Sequence, residues 1–469
     1  MRRLLSSCAL ALALVGPSHA SADGAPPAPT GSVGLAATKT RLPNGLEVIL
    51  HEDHRTPIVT VNLWYHVGSK DEPPHRNGFA HLFEHVMFQG SKHVPEDTYF
   101  RYLEQAGATA INGTTNSDRT NYFETVPKNR LELALWLESD RMGFLLDHAD
   151  EATFKSQREV VKNERRQNYE NAPYGLVSEV IRAEVFPAGH PYHLLTIGTP
   201  EDLDRATLDD VRAFFRQWYV PNNATIVIAG DIEPARTQAL VEKYFGPIPR
   251  GPEPKRAPAP EVKLTGETRI EMEADVELPR VYLSWPSPKF FAPGDGELDL
   301  VGRALSSGKT SRLYKRLVYD DQTAQSVSAG QASMELVSMF QIAATVKPGK
   351  TTTEVLAAID DEIAKLQSGG VEAAELSRAQ TSMLSEMVFG LERSSSRGNQ
   401  LNMYNHYVHS PQYFERDMAR VKNATAAAVQ GAAKTWLSKD KRVVTIVTPS
   451  KSAPIAGRVT KITRPGAGR

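Results

Sequence analysis

Cysteine is all but missing from this sequence. Its 469 residues contain one, Cys8, inside an N-terminal stretch that reads as a leader. The remaining chain can form no internal disulfide and has no thiolate to offer, so any metal site must use His, Asp and Glu. Excess charge is missing as well. Lys and Arg number 54 against 55 Asp and Glu, a net charge of −1, which provides no broad basic surface for nucleic acid. A membrane-length apolar run is missing too. In "MRRLLSSCALALALVGPSHASA" the apolar segment ends near Val15 and is too short to span a bilayer. Arg2 and Arg3 precede it and Ser18-His19-Ala20 follows, the layout of a signal peptide cut after Ala20. Cleavage removes both arginines and takes the net charge from −1 to −3. The expectation is an exported protein, held in a periplasm or secreted, with no membrane span in the mature chain.

What is present is ordinary globular composition, 41% hydrophobic and 23% charged, at a length that accommodates two to four domains. Residues 21–37 are rich in Pro, Gly and Ala and read as a flexible lead. "LEVILHED" and "IVTVNLWYHVG" read as strands. "PEDTYFRYLEQAG" reads as a helix and "ATAINGTTNSDRTNYFETVP" as a strand pair. A long helical stretch is predicted from Arg130 to about Tyr169, and a buried strand in "YVPNNATIVIAGDI". The Pro-rich, charged segment "GPIPRGPEPKRAPAPEVK" has linker composition.

Beyond the linker the order of elements starts again. "PRVYLSWPSP" echoes "IVTVNLWYHV", "LDLVGRALSSGKTSRLYKRLVY" echoes the helical block, and "KTWLSKDKRVVTIVTPS" echoes "RQWYVPNNATIVIAGDI". The predicted class is α+β, two homologous halves, each a mainly antiparallel sheet covered by helices. The predicted divisions are 38–245 for the first half, 246–265 for the linker, 266–450 for the second half and 451–469 for a loose basic tail.

One segment concentrates chemistry. In "GFAHLFEHVMFQGS", residues 78–91, Phe79, Leu82, Phe83 and Val86 form an apolar stripe at helical spacing. The opposite stripe is His81, Glu84, His85 and Phe88, unlike a solvated face of Lys and Glu. Histidines at i and i+4 point the same way one turn apart, and neutral imidazoles suit Zn²⁺. Glu84 lies beside both but is poorly placed to be a third ligand. Its natural role is to accept a proton from a zinc-bound water and pass it to a leaving amine. A third ligand must come from elsewhere. In "FKSQREVVKNERRQNYE", Gln157, Val160, Val161 and Glu164 share one stripe. Glu164 on an inward face needs a metal or a cation such as Arg158. Glu159 is the weaker candidate. The other histidines read as strand-edge or loop residues, with His190 and His193 shaping a turn-rich loop. Phe214, Phe215, Trp218 and Tyr219 read as core.

His81-Leu82-Phe83-Glu84-His85 is an H-x-x-E-H motif. With "LPNGLEVIL", "INGTTNSDRTNYFETVP", "REVVKNE" and "YVPNNATIVIAGDI", the chain resembles the pitrilysin/insulysin and mitochondrial-processing-peptidase family of zinc peptidases. The resemblance implies one zinc bound by His81, His85 and Glu164, with Glu84 as base. It implies a peptide added as a strand beside the metal, with the backbone of Asn112 and Gly113 approaching the scissile bond. Spacing alone favours a hairpin turn at Asn112-Gly113. Oligopeptides or unfolded chains are then the implied substrates.

The departures from the family carry information. Members often have a second glutamate seven residues before the ligand glutamate; here it is Gln157, able to hold a ligand by hydrogen bonding but not to add charge. Members complete in themselves carry Arg and Tyr in the second half, seven residues apart, to stabilise the oxyanion. Here those positions are Val318 and Gln325, with Arg316 and Tyr319 out of register. The implied solution is a heterodimer with a homologous partner that lacks the metal but supplies Arg and Tyr, the two chains enclosing a clam-shell chamber. The alternative is a non-catalytic or weakly catalytic scaffold or peptide-binding subunit.

Overall fold

The computed structural model describes residues 35–466. The leader 1–20 and most of the lead 21–37 lie outside the described residues.

Alternating apolar sequence builds two six-stranded sheets. The first comprises β1 (Thr38–Arg41), β2 (Glu47–Glu52), β3 (Ile58–Tyr65), β4 (Thr109–Thr115), β5 (Thr120–Pro127) and β6 (Ala224–Gly230), in the order β1-β2-β6-β3-β5-β4. The second comprises β7 (Thr268–Ala274), β8 (Arg280–Ser287), β9 (Ala324–Ala332), β10 (Ser338–Val346), β11 (Val443–Pro449) and β12 (Arg458–Thr463), in the order β12-β7-β11-β8-β10-β9. Each sheet has one parallel pair, β2 with β6 and β7 with β11, at the same place in an otherwise antiparallel order. The two halves are therefore homologous and the class is α+β. In each half a helix follows a left-handed glycine. Gly78 (φ 96°) precedes α1 (Phe79–Val86), and Gly294 (φ 94°) precedes the helix Asp295–Ser306. The second of these helices carries no H-x-x-E-H.

The next helices of the first half are α2 (Tyr99–Gln105), α3 (Leu131–Phe144), α4 (Glu151–Arg165) and α5 (Val177–Val185), and three more follow before the linker. The single long helix expected from Arg130 to Tyr169 is two. A 3-10 turn at Leu145–Asp147 ends α3, and Asp150 caps α4 by accepting from the Thr153 amide at 2.8 Å. Helical periodicity on both sides hid this break.

Both faces of each sheet are covered, which explains near-continuous burial along β3 and β6. On β3, Val59, Val61, Leu63 and Tyr65 enter the core beneath α1 and α3, along with Phe214, Phe215, Trp218 and Tyr219. Thr60, Asn62 and Trp64 face the other way, toward the helix Ser394–Val408 of the second half. Ser394 Oγ lies 2.8 Å from Thr60 Oγ1, and Asn402 donates to the Asn62 carbonyl at 2.9 Å. The exchange is reciprocal. From the first half, α5 packs Val177, Ile181 and Val185 against Ile270, Met272, Val443 and Val447 of the second sheet.

The linker has no helix or strand from residue 249 to 265. Arg256 nonetheless fastens it, donating to Asp71 at 2.9 Å and lying 5.2 Å over the Trp218 ring. The expected loose tail is a correction. Residues Arg458–Thr463 form β12, paired antiparallel with β7, although nearly every side chain there is exposed. Backbone pairing makes this edge strand, and its two apolar residues, Val459 and Ile462, stand three apart and so give no strand alternation to read.

Candidate metal and catalytic site

Helix α1 is seated by its apolar stripe. Phe79, Leu82, Phe83 and Val86 are buried, and His81, Glu84 and His85 stand half-buried on the opposite side. Its first turn is held by a residue the sequence did not flag. Glu72 accepts from the Ala80 amide (2.9 Å), the Gly78 amide (3.0 Å) and Asn77 Nδ2 (3.0 Å). These N–H groups would otherwise be orphaned at the helix start. Phe88 follows the last turn of the helix, and its ring packs against Phe100 (4.8 Å), Tyr99 (5.4 Å) and Tyr122 (5.5 Å). Beneath this aromatic floor is a fully buried Arg141, 4.1 Å from the Tyr122 ring and paired with Glu138.

On α4 the inward face holds Phe154, Val161 and Arg165, while Val160, expected inward, is 42% exposed. Glu164 faces the α1 histidines. Its Oε2 lies 3.4 Å from His85 Nε2 and 3.7 Å from His81 Nε2, and donor atoms of the three residues all fall within 4.8 Å of one another. The competing cation is elsewhere: Arg158 lies 3.9 Å from both Glu159 and Asp204. Glu159 faces Lys162 at 3.2 Å, away from the cluster.

Does the donor set fit zinc? Bonds of about 2.1 Å at tetrahedral angles put ligand atoms about 3.4 Å apart, close to the separations found. Burial, then the neighbouring His85, pulls the His81 pKa down to about 4, so its imidazole is neutral at pH 7. The approach of His85, opposed by burial, holds the Glu164 carboxyl below its ordinary range. Neutral imidazole nitrogen and ionised carboxylate are the donors zinc takes, and three protein ligands leave a fourth position open. The residues fit.

Glu84 takes no part in that cluster of donor atoms. Its Oε2 accepts from Thr115 Oγ1 at 2.6 Å, and burial raises its pKa against that hydrogen bond. Thr115 ends β4, the outer strand of its sheet. Asn112 and Gly113 lie within this strand, paired with Phe123 and Tyr122, and not in a turn. The turn is Asn116–Arg119. Gly113 is packed so closely that a Cβ there would lie 2.9 Å from Glu84 Cγ and 3.0 Å from the Phe88 ring. Asn112 is exposed, its Oδ1 accepting from the Gly113 amide at 2.9 Å. Gln157 sits two turns before Glu164 on α4, and its side chain makes no hydrogen bond among the described residues. In the second half, Val318 packs on the apolar core and Gln325 lies on β9.

Thr115, Glu72 and Arg141 were missed. Thr115 had a signal, since residues i and i+2 of a strand share a face and Gly113 was already singled out. Glu72 and Arg141 had none, because their partners come from tertiary packing.

Comparison with known proteins agrees with this picture. Residues 47–192 match the family model described as insulinase (peptidase family M16), and residues 205–383 match the model described as the peptidase M16 inactive domain. The zinc protease PqqE of Helicobacter pylori is 28% identical over 359 residues, which cover 76% of this chain and 80% of the relative. The crystal structure of a protease from Helicobacter pylori superposes with a TM-score of 0.82 at 25% identity, covering 88% of this chain and all of that one. The periplasmic protease PqqL from Escherichia coli superposes with a TM-score of 0.74 at 17% identity; 89% of this chain is covered, but only 49% of that one. With both models of one family matched in chain order, the second starting at residue 205 in the first half and running through the linker into the second, this chain belongs to the insulinase-type peptidase family M16.

Proposed function

We propose that the chain is a zinc endopeptidase acting on extended oligopeptides or unfolded polypeptides. The observation that carries this reading is the convergence of His81, His85 and Glu164 beside an uncommitted carboxylate, Glu84. His81 Nε2, His85 Nε2 and Glu164 Oε2 would hold the ion. Bound there, zinc supplies Lewis acidity toward the scissile carbonyl and toward water. Glu84 takes the proton of the attacking water and returns it to the leaving amine. Its raised pKa suits a group that must hold that proton between the two steps. Thr115 orients the carboxylate. The substrate lies along the outer edge of β4, its main chain pairing near Asn112 and Gly113, which makes the site undemanding of sequence. The chain's own second half offers Val318 and Gln325 where the family resemblance places Arg and Tyr. A homologous partner subunit supplies that pair across a shared chamber, as the match to one half of a longer protease chain suggests.

The leader supports export, to a periplasm first. No helix among the described residues is long and apolar enough to cross a membrane.

Glu84→Gln tests the proposal. Cleavage of a quenched peptide should fall by about three orders of magnitude or more, with metal content per chain unchanged. Retention of cleavage in this variant overturns the assignment of Glu84. The partner is tested by assaying the chain alone and with a metal-lacking homologue; full activity alone overturns that part.

A further inference from the structure

The two halves touch through equivalent hairpin tips, and the contact ends at the proposed substrate strand. In the first half the β4–β5 turn is Asn116–Arg119; its counterpart is the β9–β10 turn of the second half, Ser333–Val337. Asp118 joins them. It is 1% exposed, and its carboxylate accepts from the Glu335 amide (3.0 Å), from Tyr407 Oη (3.0 Å) and from Tyr192 Oη. Lys70 Nζ adds a donor to the Asp118 carbonyl at 2.7 Å and lies 3.2 Å from Glu335. Glu335 and Tyr407 belong to the second half.

The register of β4 depends on this end. At its other end the strand is irregular: pairing shifts between Thr109 and Asn112, and Ala110 has φ 54°. A slip of one residue would turn every side chain to the opposite face. It would bring Asn112 or Thr114 to the place of Gly113, where not even a Cβ fits against Glu84. The turn end is pinned more firmly. Arg119 Nη1 donates to the Thr114 carbonyl at 2.9 Å, and Asn116 Oδ1 accepts from the Asp118 and Arg119 amides at 2.8 and 2.9 Å.

We infer that Asp118 is a positioning residue, through which the metal-free half fixes the register of the peptide-binding strand and hence the placement of Glu84. The inference rests on the proposed use of β4, and its test reads binding and exchange separately from cleavage. Affinity for a fluorescein-labelled decapeptide is measured on Glu84→Gln protein, alone and combined with Asp118→Ala or with the milder Tyr407→Phe, while hydrogen exchange follows the β4 amides. Asp118→Ala should weaken peptide affinity about tenfold and Tyr407→Phe by less, both with faster β4 exchange and unchanged zinc content. In the cleaving enzyme the same changes should raise KM and, because Glu84 is displaced relative to the peptide, lower kcat as well. If peptide affinity and β4 exchange match the parent while only the melting temperature falls, Asp118 is merely structural and the inference is overturned. Protein with Glu84 intact that binds the decapeptide but never cleaves one, even with the homologous partner present, overturns the endopeptidase reading alone.

Discussion

At the scale of single residues, the site is defined as much by a missing side chain as by those present. Gly113 has ordinary strand geometry, so its role is to leave space and not to adopt a special turn. Gly113→Ala forces a methyl group to within 2.9 Å of Glu84 Cγ. The expected outcome is a modest stability loss of about 1–3 kcal/mol. A larger effect is expected on turnover, about a hundredfold in kcat, because the base is displaced relative to the peptide. Denaturant unfolding and steady-state kinetics on the same preparation separate the two.

Among elements, α1 works because three things agree: an apolar stripe that buries it, a glycine that starts it, and a carboxylate that holds its first turn. Glu72→Ala leaves the Gly78 and Ala80 amides without their acceptor, and should cost about 1–3 kcal/mol. Because the ligands share that helix, zinc affinity should fall too, measured by competition with a chelator; Glu72→Gln keeps one accepting oxygen and should lie between. Affinity equal to the parent would show that α1 is rigid without the clamp. Legibility follows the same line. The H-x-x-E-H helix, the inward Glu164 and the repeated strand order could be read because each is written in local period and spacing. The break between α3 and α4 could not, since helical spacing continues across it. Nor could β12, whose two apolar residues stand three apart, or Glu72, Arg141 and Asp118, which are placed by tertiary packing. Asn112-Gly113 shows that local chemistry can mislead: a favoured turn pair sits mid-strand because the turn was taken by Asn116–Arg119.

For the whole molecule, the covering helices are exchanged between halves, so neither half contains its own complete core. Residues 35–245 expressed alone should retain helical signal in the far ultraviolet but lack near-ultraviolet dichroism and a cooperative melt, whereas the full chain unfolds in one transition. A cooperative melt of the isolated half would refute this. Acid should loosen the same seam. Burial opposes the charge of Glu47, but hydrogen bonds from Asn405, Arg41 and Lys39 outweigh it and hold the pKa at about 2, against an ordinary 4.5. Its contribution is complete above pH 4.5 and is lost as pH falls through about 2, at most about 3 kcal/mol. His66 and His406 stack across the seam with Nδ1 atoms 2.7 Å apart, and burial keeps both pKa values below the ordinary 6.5. Since they resist protonation only when folded, stability should start to decline below pH 6.5 and fall further between pH 4.5 and 2. Urea midpoints across this range should show both parts, and Glu47→Gln should flatten the lower one.

The helix exchange also sets a timetable for synthesis. The first sheet is finished at Gly230, yet the helix that roofs one of its faces ends only at Val408. A ribosome adding about 5–20 residues per second needs roughly ten to forty seconds to cover that distance. Throughout that interval Ile49, Val227 and Ala229, later sealed beneath Leu401 and Tyr404, have no roof from their own chain. A second copy emerging beside it, at the ribosome or during export, can lend its helix first, so dense expression should favour swapped dimers and slower initiation should favour monomers.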